Sequence, residues 1–220
     1  MDIYTDIKSK LINGQFDPGQ KLKSQNLADI YSTSASRIRE ILFRLSTRGL
    51  VDFKEQRGFS VPQVDETRRR ELVGMRVMLE CEGAKRSIGL GGLDWSARLT
   101  AAHHKLSHIE SMVRDAPGDP EQFINENNLE LNLWTTAELD FHRTLISACG
   151  SDLLLDTHLL IFERFRQQVL LADQRQVYFD GNIDQHLGIL EAALAHDSDI
   201  LVERITEHLS RDIYNGLEKT

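Results

Sequence analysis

The sequence predicts a mainly α-helical protein in which a winged helix-turn-helix is followed by an all-helical bundle. Residues 3–61 contain three short helical patterns and then two short strand patterns, whereas the periodic segments after residue 62 repeat their apolar residues at helical spacing. The segment Pro62-Gln63-Val64-Asp65 separates the two regions, because its proline stops the second strand. We therefore expect a DNA-binding domain over residues 1–63 and an all-helical domain over residues 66–220.

The composition is that of an ordinary globular protein. The chain has 220 residues, of which 40% are hydrophobic, and this is enough to form real cores. No apolar run approaches the roughly 18 residues that span a bilayer, and the N-terminus has acidic residues and no signal-peptide core. We therefore expect a cytoplasmic protein with no membrane partner. Cys81 and Cys149 lack a metal-type spacing and are interpreted as buried free thiols.

The net charge of −8 is unevenly distributed. Residues 1–63 hold ten Lys and Arg against seven Asp and Glu, a net charge of +3, whereas residues 64–220 hold sixteen against twenty-seven, a net charge of −11. A mildly basic N-terminal module on an acidic body is typical of a regulator with a separate sensing domain.

The N-terminal elements follow one another in the order of a winged helix. The first helix ends at Asn13-Gly14, Ser24 is a candidate N-cap of the second, and Ser34 is a candidate N-cap of the third. Residues 50–53 and 59–61 predict the two wing strands. In such a fold the third helix enters the major groove and the wing approaches the backbone or minor groove. The pattern alone also fits a small helical bundle whose arginines are solvated.

The run FDPGQKLKSQNLADIYSTSASRIREILFRLSTRGLV…RGFSV resembles the winged helix of GntR-type bacterial transcription regulators. The resemblance covers about residues 3–62 and includes the PG turn, the Arg39-Glu40 pair, the Gly49-Leu50-Val51 run and the wing glycine. It implies binding to double-stranded DNA at an operator, which we expect to be palindromic. The residues expected at that interface are Ser34, Ser36, Arg37, Arg39, Arg44, Arg57 and Gly58.

Three departures from the family pattern bear on DNA recognition. Gln25 and Ala35 stand where the family commonly has arginine, and Arg37 stands where it usually has proline. A bidentate guanidinium on guanine contributes roughly 1–3 kcal/mol of discrimination. We therefore expect a non-standard operator or weaker binding.

The C-terminal region reads as about six helices. They are predicted over residues 66 to about 87, 93–113, a segment containing Glu138 and His142, and segments near 153–173, 183–196 and 200–217. The segment Pro117-Gly118-Asp119-Pro120 predicts a loop.

A carboxylate and three imidazoles stand at the edges of apolar helix stripes. Glu138 and His142 are one turn apart, His186 lies one turn before Ile189-Leu190, and His208 follows Ile205. Taken singly, each histidine is better interpreted as a hydrogen-bonded core residue. Together the four form a mixed nitrogen and oxygen donor set that suits Zn, Ni, Mn or Fe. Of the other histidines, His103, His104 and His108 are expected at the surface, and His158 has no obvious partner.

Residues 66–217 resemble the FadR-type ligand-binding domain called FCD, which in many members binds metal through an aspartate and three histidines. The motif here is Glu138-Leu139-Asp140-Phe141-His142, so Glu138 replaces the usual aspartate and Asp140 is the reserve candidate. The resemblance implies that His142, His186 and His208 complete the ligand set. It also implies that Arg76, in an R-x-x-L-E motif, neutralises a small carboxylate effector, with Arg164 and Arg166 as alternatives that equally fit solvated surface.

These features together predict a dimeric transcription regulator, a repressor relieved by a small organic acid at a metal site, and not an enzyme. Two other functions were weighed. A DNA-binding protein whose bundle only dimerises, or senses a ligand without metal, fits the same N-terminal module. A metal-dependent hydrolase is disfavoured, because the chain has no HExxH motif and catalysis would leave the winged helix without a role.

Overall fold

A computed structural model describes residues 2–114, 128–171 and 182–214. It divides the chain into two compact units. The first compact unit comprises residues 1–69 and 163–173, and the second comprises residues 70–162 and 174–220. The division into functional domains at residues 63 and 66 remains a prediction.

The first compact unit contains a winged helix-turn-helix. Helices α1 (Ile3–Ile12), α2 (Ser24–Ile30) and α3 (Ala35–Thr47) are followed by strands β1 (Asp52–Lys54) and β2 (Gly58–Ser60). The strands pair antiparallel, with Phe53 opposite Phe59. The side chain of Ser34 accepts a hydrogen bond from the backbone N–H of Arg37, so its predicted capping of α3 is confirmed. The predicted cap at Ser24 is wrong, because Ser24 is the first helical residue and Lys23 precedes it without a side-chain cap.

A single apolar cluster holds this unit together. The inner face of α3 supplies Ile38, Ile41, Leu42 and Leu45, all buried as their spacing predicts. The strands add Phe59, and α1 adds Ile7 and Leu11. Leu171 also belongs to the cluster, although it lies more than a hundred residues further along the chain. The winged helix is therefore completed by residues from the C-terminal half of the sequence.

Polar contacts fix that distant segment in the first compact unit. Glu163 is almost fully buried, and its carboxylate lies 2.5 Å from Lys8 Nζ and 2.7 Å from Arg48 Nη2. The Gln167 side-chain amide donates to the Leu50 carbonyl at 2.9 Å, and Arg164 Nε donates to the Arg48 carbonyl at 2.6 Å. These bonds satisfy two backbone carbonyls just beyond the last helical residue of α3.

The described part of the second compact unit is built from helices alone, and the predicted all-helical fold is confirmed. The helices are α4 (Glu66–Leu90), α5 (Leu93–Arg114), α6 (Asn128–Leu145), α7 (Asp152–Leu171), α8 (Asn182–Leu194) and α9 (Ser198–Tyr214). Helix α5 packs against α6 and α8, and α8 packs against α9. The first residues of α4 and the last residues of α7 belong to the first compact unit. The predicted loop at 117–120 lies outside the described residues.

Both tryptophans of the chain lie in the core of the second compact unit. Trp95 is 1% exposed, and its indole N–H donates to the Thr144 carbonyl at 2.9 Å, while Trp134 is fully buried. This packing places the middle of α6 inside the bundle, and the buried face of α6 includes Glu138 and His142. Among the described residues no helix is long and apolar enough to cross a membrane.

Candidate metal centre and nucleic-acid interface

Three histidines from three different helices meet inside the second compact unit. His142 comes from α6, His186 from α8 and His208 from α9, and one ring nitrogen of each lies within 4.8 Å of the others. His142 and His186 are fully buried and His208 is 7% exposed. The His186 and His208 ring centroids are 4.5 Å apart, and His142 stacks on His208 at 5.3 Å. The fold thus brings together the three histidines that the stripe-edge pattern selected.

An oxygen acceptor lies beside the Nδ1 atom of each ring. The distances are 2.7 Å from Glu80 Oε2 to His142, 3.0 Å from Glu110 Oε1 to His186, and 3.1 Å from Gln185 Oε1 to His208. The three acceptors belong to α4, α5 and α8.

Burial favours the neutral, metal-binding form of the His142 and His208 imidazoles. Desolvation lowers the pKa of His142, and desolvation together with the neighbouring His186 and His142 lowers the pKa of His208 well below its usual value. Burial opposes ionisation of Glu80, but His142 and Arg76 nevertheless hold its pKa well below the usual range. The neutral imidazoles of His142 and His208 beside the ionised carboxylate of Glu80 favour a divalent cation.

The donor set fits a bound metal. The Nε2 atoms of His142 and His186 are buried and have no hydrogen-bond partner within the described part of the chain. A buried polar atom left without a partner costs roughly 1–3 kcal/mol, so an absent group that pairs with both would explain their burial. Imidazole nitrogen suits Zn, Ni or Fe, all among the expected metals.

The predicted carboxylate ligand stands apart from this group. Glu138 is fully buried one turn before His142, but it does not belong to the group of residues whose ligand atoms lie within 4.8 Å of one another. Asp140, the reserve candidate, is half exposed and pairs with Lys105 Nζ at 3.3 Å. The ligand role of Glu138 therefore remains a prediction.

The three candidate effector arginines have different environments. Arg76 is 1% exposed, its Nε donates to Glu80 Oε1 at 3.0 Å, and its guanidinium lies 4.8 Å from the ring centroid of Phe162. Arg164 and Arg166 belong to the first compact unit, where Arg164 bonds the Arg48 carbonyl and Arg166 is fully buried. Arg76 thus contacts the network around the histidines through Glu80.

Sequence reasoning missed four members of that network. Glu80, Glu110 and Gln185 supply the acceptors, and His158, for which no partner was predicted, places its Nε2 2.9 Å from Glu80 Oε1. Both carboxylates are buried. Glu80 was within the R-x-x-L-E motif, and Glu110 follows the apolar Leu106 and Ile109 at helical spacing, so both carried a detectable signal. The expectation of a surface His103 is also wrong, because its ring is half-buried against Phe141.

The predicted DNA-contacting residues lie at the surface of α3 and the wing. Ser34, Ser36, Arg37, Arg39, Arg44 and Arg57 are exposed, and Gly58 is partly exposed. Arg39, Arg57 and Gly58 line an open concavity of about 750 Å³, together with Lys21 and Lys23, which were not predicted. Arg44, on α3, packs against α1, with its guanidinium 4.5 Å from the ring centroid of Tyr4. Gly58 has φ of +72°, a value that favours glycine at the wing turn.

A cationic cleft between a helix-turn-helix and its wing, on a chain that continues into an all-helical unit, defines a DNA-binding transcription regulator. Residues 1–61 match the family of bacterial regulatory proteins called gntR, and residues 71–211 match the FCD domain. The chain belongs to the GntR family and carries an FCD domain.

The relatives are regulators of the same type. The chain is 29% identical over 215 residues to the uncharacterized HTH-type transcriptional regulator BphR of Paraburkholderia xenovorans, covering 96% of this chain and 82% of that protein. It is 27% identical over 213 residues to the HTH-type transcriptional repressor GlaR of Escherichia coli, covering 95% and 91%. The E. coli McbR/YncC structure has the same fold, with a TM-score of 0.71 at 21% identity over 98% of this chain and 95% of that one.

Proposed function

We propose that this regulator is a homodimeric, FadR-type repressor that releases a palindromic operator when a small carboxylate binds at a metal site in its helical domain. Residues 1–63 bind DNA, and residues 66–220 bind the effector and dimerise. The observation that carries the proposal is the buried meeting of His142, His186 and His208, with orphaned Nε2 atoms on two of the rings. A regulator of operator DNA acts in the cytoplasm.

The DNA contacts are assigned from exposure and charge. Arg39 of α3 and Arg57 of the wing line the same cleft, which suits a base contact from the helix and a backbone contact from the wing. A two-fold dimer presents two such clefts, and the operator then has two related half-sites.

The effector site is assigned from the chemistry of the buried residues. His142, His186 and His208 would hold Zn, Ni, Mn or Fe, with Glu138 as a fourth ligand, and the bound metal would supply a Lewis acid for an effector oxygen. Arg76 supplies positive charge beside the network. The chain binds its effector without turnover. Effector binding shifts the protein between two arrangements of different operator affinity.

The test begins with metal content. Untagged protein purified without chelator is expected to hold about one metal per chain, and the variant with His142, His186 and His208 all changed to alanine almost none. Removing the metal is expected to abolish binding of small carboxylates while tryptophan fluorescence still reports a folded bundle. A parent protein that holds no metal after reconstitution would leave the DNA-binding function and favour a metal-independent or purely dimerising helical domain. Consumption of a carboxylate would instead indicate an enzyme.

A further inference from the structure

The three histidines are surrounded by oxygen acceptors that lie beside their Nδ1 atoms. Each ring has an oxygen beside Nδ1, and each oxygen comes from a different side chain: Glu80 for His142, Glu110 for His186 and Gln185 for His208. Two of the three are buried carboxylates from helices α4 and α5, which contribute no histidine to the group.

These acceptors decide which ring nitrogen carries the proton. A carboxylate can only accept, so a neutral imidazole beside it carries its proton on the facing nitrogen. For His142 and His186 that nitrogen is Nδ1, and the lone pair is then on Nε2. The Nε2 atoms of these same two rings have no hydrogen-bond partner among the described residues. On His142 the acceptor and the orphaned nitrogen therefore lie on opposite sides of the ring. On His186, Nδ1 lies 3.0 Å from Glu110 Oε1 without a hydrogen bond of normal geometry among the described residues, and Nε2 is orphaned on the other side.

Glu80 is a fixed acceptor. Its Oε1 lies 3.0 Å from Arg76 Nε and 2.9 Å from His158 Nε2, while Oε2 faces His142. Three neighbours on two oxygens leave its carboxylate little rotational freedom, so the ring of His142 is held in one orientation.

Glu110 is different because, among the described residues, His186 is the one residue within ion-pair distance of its carboxylate, and His103 interacts with it at longer range. Neither of its oxygens makes a hydrogen bond of normal geometry within the described part of the chain, although Oε1 lies 3.0 Å from His186 Nδ1. Glu110 is nevertheless buried, with only 5% of the residue exposed. Burial of a carboxylate with so little compensation is unfavourable, so a role in folding does not account for Glu110.

We propose that Glu80, Glu110 and Gln185 are positioning residues that hold all three histidines with the proton on Nδ1, so that each ring presents Nε2 to one metal ion. The proposal rests on the metal function proposed above. It assigns a purpose to the buried Glu110, and it makes the carboxylates rather than the histidines alone the source of metal affinity.

The experiment measures Zn²⁺ affinity by competition with a chromophoric chelator. Glu110→Gln keeps the shape but replaces an acceptor with a group that can also donate, and the affinity is expected to fall about 10- to 100-fold. The matched control is Glu82→Gln, an exposed glutamate on α4, whose affinity is expected to equal that of the parent. Glu80→Gln is expected to lose at least as much as Glu110→Gln. Because Glu80 also pairs with Arg76, Glu80→Gln could fail to fold. In that case Glu110→Gln alone tests the proposal.

Nitrogen NMR of metal-free, ¹⁵N-histidine-labelled protein provides a readout that metal loading does not affect. The parent is expected to show His142 and His186 protonated on Nδ1, and Glu110→Gln is expected to change the His186 signals alone. Parent rings protonated on Nε2, or a Glu110→Gln variant with parental Zn²⁺ affinity, would overturn the positioning role. A parent that binds none of Zn²⁺, Ni²⁺, Mn²⁺ and Fe²⁺ would overturn the proposed metal function as well, and only that result would do so.

Discussion

The DNA-contacting surface of the first compact unit and the histidine network of the second place their charged side chains in opposite ways. In the first, the arginines of α3 and the wing tip are exposed above an apolar core of leucine, isoleucine and phenylalanine. In the second, Arg76, Glu80, Glu110 and the three histidines are themselves buried. A protein binds nucleic acid with its surface, where charged side chains stay solvated and the desolvation penalty is small. A buried charge is unfavourable unless it is paired, so the charged side chains of the second unit's network require partners that the exposed arginines of the first unit do not.

Helix α4 contains the same contrast on a smaller scale. Arg76 and Glu80 form a pair four residues apart, with side chains 1% and 0% exposed. Glu82 and Arg86 form another pair at the same spacing, 52% and 49% exposed. The two pairs differ in burial on one helix, so each is the natural control for the other.

The largest expected effect is loss of stability on breaking the buried pair. Arg76→Met leaves the Glu80 carboxylate buried without that guanidinium, and the free energy of unfolding of the metal-free protein is expected to fall by about 3–5 kcal/mol. Arg86→Met is expected to change it by less than about 0.5 kcal/mol. Urea denaturation followed by tryptophan fluorescence measures both, because both tryptophans lie in this unit.

A double variant separates lost charge pairing from lost packing. Arg76→Met with Glu80→Leu removes both charges, and it is expected to recover part of the stability that Arg76→Met loses. Similar small losses for Arg76→Met and Arg86→Met would contradict the contrast, because they would mean that water reaches the buried pair.

The next effect is on DNA recognition and leaves stability unchanged. Arg39→Ala is expected to weaken binding to operator fragments, selected from random DNA by the parent protein, by roughly 1–3 kcal/mol and to relax preference at one base position. Arg57→Ala is expected to weaken binding to all sequences alike, as loss of a phosphate contact does. Arg39→Ala with parental affinity and sequence preference would mean that α3 does not read the operator as proposed.

What the sequence could predict follows the same division. The winged helix was predictable because its signals are local: Ser34 caps α3, the α3 stripe is buried, and Phe53 and Phe59 pair across the wing. The histidines could be selected from their positions at stripe edges, but periodicity within one helix says nothing about convergence of α6, α8 and α9.

The sequence signals at Glu80 and Glu110, a motif and an apolar stripe, mark their positions but do not identify them as acceptors for histidine. A glutamate on a helix such as α4 or α5 is usually solvated, and only the packing of other helices against Glu80 and Glu110 turns them inward. The completion of the first unit by Glu163 and Leu171 was equally hidden, because contacts between residues so far apart in the chain leave no periodic trace.

The smallest expected effect concerns a charge cluster in the first unit. The Asp6 carboxylate pairs with Lys10 Nζ at 2.8 Å and accepts a hydrogen bond from the Tyr31 hydroxyl. These contacts lower the pKa of Asp6 from its ordinary 3.8. The hydrogen bond to Asp6 raises the pKa of Lys10 from its ordinary 10.5. An acid whose pKa is lower in the folded protein stabilises the fold at pH values above its unfolded pKa, and this stabilisation is lost as the pH falls through the folded pKa. A lysine whose pKa is raised stabilises the fold until the pH rises through its folded pKa. Asp6→Asn is therefore expected to lose less than about 1 kcal/mol at pH 7, and the difference should shrink below pH 3.8. Urea denaturation at several pH values measures the effect. The control is Asp29→Asn, which loses only an acceptor for the neutral Gln25 amide. A loss of unfolding free energy for Asp6→Asn that stayed constant down to pH 3 would show that hydrogen bonding rather than charge holds α1 to Tyr31.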